Sequence, residues 1–180
     1  EEGDVSFLMR FLWNHGQIPF QTGFIDNFVS NEIIVPGITA EEVFASLPDN
    51  AYGRPIMTMW TMFISTIIMA DAEERHLISI QNIFFPVEAQ VIDFERPSQG
   101  KPGRLAWHGW AEGDADHRLD VVHAWLIEDM PKGRVRILTQ ESQKGKPAKD
   151  LFNTNPDTMN IGHQDWIKGL ARTVLESCKK

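Results

Sequence analysis

A length of 180 residues and a hydrophobic content of 42% suit one folded domain with a sizeable core rather than a disordered chain. The formal net charge of −8 argues against binding to nucleic acid or to anionic membranes, because both need clustered lysine and arginine. The single cysteine, Cys178, excludes a disulfide within these residues and a metal cluster held by several thiolates.

The most apolar stretch of the chain, residues 56–70, is interrupted by Thr58, Thr61, Ser65 and Thr66. It falls short of the roughly 20 apolar residues that cross a bilayer. The N-terminus is acidic and lacks the cationic segment of a signal peptide. These features predict no membrane span, and we expect a cytoplasmic location.

The N-terminal third of the chain predicts two helices and one strand. Asp4 can cap a helix over residues 5–15, and we assign residues 1–23 to a helical extension outside the main domain, residues 24–180. Alternating apolar residues predict a strand at 28–35. Thr39 and Glu42 have the spacing of a capping box, which predicts a short helix after that strand.

From Met57 onward, the pattern predicts six further strands separated by turn-forming residues. These strands are expected over residues 57–70, 76–84, 87–95, 104–111, 118–127 and 134–143. Short strands in direct succession favour an antiparallel sheet, because parallel pairs need long crossover connections. With the strand at 28–35, the expected sheet has about seven strands.

The C-terminal segment predicts a long helix, with Asn155 as its N-cap and Pro156 in its first position. Its apolar stripe at three- and four-residue spacing comprises Met159, His163, Trp166, Ile167, Leu170 and Val174. So bulky a stripe must pack on another apolar surface, and the sheet is the candidate. The fold class is therefore α+β, with a curved antiparallel sheet wrapped around the C-terminal helix.

Several segments, in order, resemble the SRPBCC superfamily of START-like and Bet v 1-like helix-grip proteins, and its polyketide cyclase/dehydrase branch in particular. They are residues 38–49, 85–97, 123–128, 139–145 and 166–170. The resemblance spans roughly residues 28–175. It departs from the family pattern at Asn50–Trp60, which is rich in methionine, and in the strand at 76–84, which lacks the usual glycine entry.

Membership of that superfamily implies an internal apolar pocket for a small hydrophobic molecule such as a lipid, polyketide or terpenoid. Aromatic and methionine side chains suit such a pocket, although they also fill ordinary cores. The candidate pocket residues are Met59, Trp60, Phe63, Trp107, Trp125, Ile137, Thr139, His163, Trp166 and Leu170.

Two side chains are candidates for acid–base chemistry, His123 and Glu141. Alternation places each on the same strand face as apolar residues, and a turn near Asp129–Gly133 predicts that His123 lies opposite Thr139, with Glu141 diagonal to it. A neutral imidazole beside a carboxylate can move a proton. The alternative is a core histidine with both nitrogens satisfied and a carboxylate at the exposed mouth of the sheet.

The remaining histidines carry weaker expectations. His108 is expected on the outer face of its strand, opposite Trp107, and His163 at the rim of the pocket. Local histidine spacing gives no zinc motif, so neither a metal nor a cofactor is predicted. Two functions remain open: a cofactor-independent cyclase-like enzyme, or a non-catalytic carrier of a hydrophobic ligand. The sequence also leaves a homodimer open.

Overall fold

The computed structural model describes residues 25–47, 77–80 and 87–178, and for 77–80 and 87–89 it describes the backbone alone. The elements in chain order are β1 (Asn27–Pro36), α1 (Ala40–Ala45), β2 (Leu77–Ile80), β3 (Val87–Glu95), β4 (Gly103–Ala111), β5 (Leu119–Met130), β6 (Arg134–Lys144), α2 (Lys146–Thr154) and α3 (Thr158–Ser177). The predicted helix over 5–15, the predicted strand over 57–70, and Met59, Trp60 and Phe63 lie outside the described residues.

The strands form one antiparallel sheet in the order β1-β6-β5-β4-β3-β2. It consists of five long strands and one short strand, β2, which has 4 residues and lies at the edge opposite β1. The register between β3 and β4 shifts between Val91 and Asp93, which is an irregularity that increases local twist. The described residues thus supply six of the seven expected strands, in the α+β helix-grip arrangement that the sequence predicts.

Helix α1 begins at the predicted capping box. The Thr39 hydroxyl accepts a hydrogen bond from the Glu42 backbone N–H at 3.2 Å, and the Glu42 carboxylate accepts one from the Thr39 N–H at 2.7 Å. The helix buries Val43 and Phe44 completely or nearly so. A six-residue helix has little intrinsic stability, so its cap and this burial hold it in place.

The core lies between the concave face of the sheet and helix α3. The buried stripe of α3 includes Trp166, Ile167 and Leu170, and it shares one apolar cluster with Ile127 of β5 and Ile137 of β6. The predicted stripe is therefore the face that the helix buries. None of the described helices is long and apolar enough to cross a membrane.

The predicted start of the last helix is wrong. Asn155 closes a separate helix, α2, where its backbone N–H donates to the Leu151 carbonyl at 2.8 Å. Helix α3 begins only at Thr158, after Asp157. Pro156 lies between the two helices; it has no N–H to donate, which favours a break there.

The predicted register of the β5–β6 hairpin is also wrong, by two residues. The turn comprises Pro131–Gly133, with Lys132 and Gly133 both at positive φ, so that β5 continues to Met130. His123 therefore lies directly opposite Glu141, and Trp125 lies opposite Thr139. A turn of three residues, centred one position later than expected, causes this shift.

Two glycines offer a test of the fold with the same substitution. Gly145 has φ +130°, and an added Cβ would collide with the Arg118 carbonyl oxygen, whereas Gly162 in α3 has open space around it. We expect Gly145→Ala to lower the free energy of unfolding by about 2 kcal/mol or more. Gly162→Ala should raise it by about 0.5–1 kcal/mol. Urea denaturation measures both, and equal effects of the two substitutions would contradict this packing.

Candidate functional site

Three ionisable side chains from three elements meet between the sheet and helix α3. His123 projects from β5, Glu141 from the facing position of β6, and His163 from α3. All three are buried, with His123 completely inaccessible to solvent. We refer to His123, Glu141 and His163 as the buried cluster.

One carboxylate oxygen of Glu141 contacts both imidazoles. Oε2 lies 3.0 Å from His123 Nδ1 and 3.2 Å from His163 Nε2. The centroids of the two imidazole rings are 4.9 Å apart. The contact to His163 has the geometry of a hydrogen bond, but His123 Nδ1 has no hydrogen-bond partner within the described part of the chain.

Each member of the buried cluster is oriented by a further polar group. His123 Nε2 lies 2.7 Å from the Thr139 hydroxyl, and His163 Nδ1 lies 2.8 Å from the Met159 carbonyl oxygen. The Gln143 amide donates to Glu141 Oε1 at 2.6 Å. A carbonyl only accepts, so His163 must carry its proton on Nδ1 for this bond to form.

The environment separates the protonation states of the two histidines. Complete burial lowers the pKa of His123 to about 4, against the opposing effect of the Glu141 charge. Burial also acts to lower the pKa of His163, but the hydrogen bond and charge of Glu141 outweigh it and raise that pKa above its usual value. The environment therefore favours the neutral form of His123 and the charged form of His163 beside the Glu141 carboxylate.

The pKa of Glu141 lies well below its usual range. Burial alone would raise it, but the electrostatic attraction of the two neighbouring imidazoles and the hydrogen bond from His163 outweigh that effect. A buried carboxylate without such partners would be protonated or very costly. The two histidines therefore keep Glu141 ionised in an otherwise apolar interior.

Tryptophan side chains surround the imidazole of His123. The Trp125 ring stacks on it with centroids 3.7 Å apart, and Trp107 lies tilted at 5.7 Å. Trp166 of α3 meets Trp125 edge-on at 5.7 Å. The indole N–H groups of Trp107 and Trp125 are buried and have no hydrogen-bond partner among the described residues. Donors without partners in a core are suited to an acceptor on a bound molecule.

The other predicted site residues fall into two groups. Thr139 touches the buried cluster directly, whereas Ile137 and Leu170 are fully packed in the adjoining apolar core. His108 lies on the opposite face of the sheet, where it contacts Asp120 at 3.2 Å and stacks on Trp110. Alternation predicts that His108 and Trp107 lie on opposite faces, and this outer location of His108 is the one that the family resemblance implies. His163, expected at a rim, is instead buried beside Glu141.

Two features of the site escape the sequence analysis. Gln143 is not among the predicted site residues, although it follows Thr139 and Glu141 at two-residue spacing on the same strand face. The three donor groups of the buried cluster lie within 4.8 Å of one another and could hold a metal ion. Local motif spacing does not reveal them, because they come from β5, β6 and α3.

The architecture is that of a helix-grip protein, with one antiparallel sheet packed against the C-terminal helix α3 and the buried cluster between them. The chain belongs to the same family as the hypothetical protein jhp0584 from Helicobacter pylori, to whose crystal structure it is 35% identical. That match covers 86% of this chain and 91% of the other, with a TM-score of 0.62.

Two further solved structures are similar to the chain at lower sequence identity. Protein MLL2253 from Mesorhizobium loti is 14% identical, with a TM-score of 0.50 over 84% of this chain and 98% of the other. Norcoclaurine synthase from Thalictrum flavum is 12% identical over 83% of this chain and 87% of its own, and its TM-score of 0.46 is too low to inform function. Neither a family model nor a curated protein matches the chain.

The low pKa of His123 predicts how stability changes with acidity in metal-free protein. The unfolded chain takes up this proton near pH 6.5, whereas the folded chain takes it up only near pH 4. The free energy of unfolding should therefore fall as the pH drops from about 6.5 to about 4. Urea denaturation across this range, with a chelator present, should show a shallower fall for His123→Gln. If the free energy of unfolding fell equally with pH in wild type and in His123→Gln, the buried, neutral state of His123 would be contradicted.

Proposed function

We propose that the protein binds a small hydrophobic molecule between the sheet and helix α3, and that His123 moves a proton of that molecule in a cyclisation or a related reaction. The observation that carries the proposal is the unpartnered Nδ1 of a completely buried imidazole. A nitrogen in that position is a base with no protein hydrogen bond to give up.

The arrangement around His123 supports a role in acid–base chemistry. Thr139 contacts Nε2 and fixes the ring, while burial favours the neutral imidazole that a general base requires. Glu141 lies beside Nδ1 and would stabilise the imidazolium that forms when His123 takes up a proton. The aromatic rings of Trp107 and Trp125 give the same place an apolar surface.

A second candidate is a non-catalytic carrier of a hydrophobic ligand. The specific support is the group of three neighbouring tryptophan rings, Trp107, Trp125 and Trp166, which suits the binding of a flat apolar molecule. In this function the two unpartnered indole N–H groups would bind an oxygen of the ligand without any reaction.

The first experiment is native mass spectrometry of protein purified from the organism that encodes it, followed by organic extraction. We expect a hydrophobic adduct at one molecule per chain, and the extract identifies it. The matched variants are Trp166→Ala, beside the buried cluster, and Trp110→Ala, on the outer face of the sheet. If both variants retain the adduct equally, the ligand lies elsewhere in the protein. If freshly isolated wild-type protein carries no adduct, it does not hold a ligand tightly.

The catalytic part of the proposal is tested with the molecule so identified, or with its precursor. We expect His123→Gln to bind it but to convert it about 10²-fold more slowly or worse, as loss of a general acid–base group does. His108→Gln is the control, because His108 is a strand histidine on the opposite face. Circular dichroism establishes that both variants fold. Conversion at the wild-type rate by His123→Gln would remove His123 from the mechanism and leave the carrier function.

A further inference from the structure

The geometry of the buried cluster points to a site for a divalent first-row transition-metal ion, and we propose that His123 Nδ1, Glu141 Oε2 and His163 Nε2 bind it. The site is the same as that of the proposed function and rests on it for the bound molecule, because an ion there would supply an open position for an oxygen atom of that molecule. The ion would take the place of proton transfer at His123 Nδ1, since one lone pair cannot bind a metal and accept a proton at once. Nothing in the local sequence motifs predicts this site, since its ligands lie on β5, β6 and α3.

The spacing of the three donor atoms fits ligands around a common ion. For metal–ligand bonds of about 2.0–2.1 Å, adjacent ligand atoms lie about 2.9 Å apart in octahedral and about 3.3 Å apart in tetrahedral geometry. Glu141 Oε2 lies 3.0 Å from His123 Nδ1 and 3.2 Å from His163 Nε2, within that range. The donor atoms of all three side chains are within 4.8 Å of one another, so small adjustments complete the triangle.

The direction of the His123 lone pair supports coordination over a simple ion pair. Although Nδ1 and Oε2 are 3.0 Å apart, the alignment is too poor for a hydrogen bond. A nitrogen that binds an ion shows this arrangement, because His123 Nδ1 would then point at the ion and not at the neighbouring carboxylate oxygen. Nδ1 is completely buried and has no other partner among the described residues, so it is the polar atom that an ion would satisfy.

The groups around the cluster already hold each ligand in the form that a metal requires. The Met159 carbonyl fixes the proton of His163 on Nδ1, which leaves Nε2 as the metal-binding nitrogen once the ion displaces any proton there. Thr139 can accept the Nε2 proton of His123, and Gln143 donates to the second oxygen of Glu141. Metal-binding histidines and carboxylates usually have such outer partners, which orient them and raise their basicity.

The donor set indicates the class of ion and of chemistry. Two imidazole nitrogens and one carboxylate oxygen suit Zn²⁺, Fe²⁺ or Co²⁺ better than Mg²⁺ or Ca²⁺, which prefer oxygen ligands. Three protein ligands leave at least one position open, as in catalytic and not structural zinc sites. The rings of Trp107 and Trp125 lie beside His123, and their indole N–H groups have no partner among the described residues, so they are available to an oxygen bound at that position.

The test is the titration of the full chain, stripped with a chelator and desalted, with Co²⁺ and then with Zn²⁺. We expect one Co²⁺ per chain, with the visible absorption bands of a four- or five-coordinate ion, and displacement of that ion by Zn²⁺. Glu141→Gln should weaken Zn²⁺ binding about 10²-fold or more, since loss of an outer partner alone costs 10–100-fold. Gln143→Ala removes only an outer partner, so it should weaken Zn²⁺ binding about 10–100-fold.

Two control variants separate this site from adventitious binding at the surface. His117 and Asp114 form an exposed pair at 2.6 Å, and His108 and Asp120 form another at 3.2 Å, so either could attract an ion. His117→Gln and His108→Gln should leave the absorption bands and the affinity unchanged. Equal affinity in wild type and Glu141→Gln, or loss of binding in either control, would overturn the assignment.

The assay contains no organic ligand, so its outcome does not depend on the proposed function. If no ion binds to the wild type, the metal site is wrong, while the adduct and the conversion by His123 remain measurable in the presence of a chelator. If the ion binds but no adduct is found, the metal site stands and the hydrophobic-ligand function fails.

Discussion

The rest of the site depends on the burial of one ionised carboxylate, that of Glu141, between a sheet and a helix. Moving a carboxylate from water into a protein interior costs several kcal/mol, and only close, well-directed partners offset that cost. Here the partners are the two imidazoles and the amide of Gln143. Because His163 comes from α3 while the others come from the sheet, this pairing also fixes how the helix lies on the strands.

Such a cluster is a poor way to gain stability. Apolar residues of similar volume would fill the space between sheet and helix at lower cost, because buried charges seldom recover their full desolvation energy. Perturbed ionisable groups collected in one place are, in contrast, typical of sites that bind or transform a molecule. The aromatic rings around His123 then serve as the apolar walls of the site as well as part of the core.

Much of this architecture could be predicted from periodicity, because alternation and helical spacing depend only on which residues are apolar. The inner face of β5, the stripe of α3 and the capping box at Thr39 are examples. The register of the β5–β6 hairpin could not be predicted as safely, because a turn displaced by one residue shifts every pair by two. The contact between Glu141 and His163 depends on the docking of α3, which no local pattern encodes.

The fold leaves the chemistry open, since one fold carries many functions, and the hydrogen bonds of the cluster carry the information about its chemistry. The Met159 carbonyl requires a proton on His163 Nδ1, and a second proton on Nε2 satisfies Glu141 Oε2. When the Thr139 hydroxyl accepts the Nε2–H of His123, the lone pair lies on Nδ1, which has no aligned partner within the described residues. A buried nitrogen left in this state is either a base that awaits a proton from a ligand or a ligand that awaits an ion, and both proposals follow from that atom.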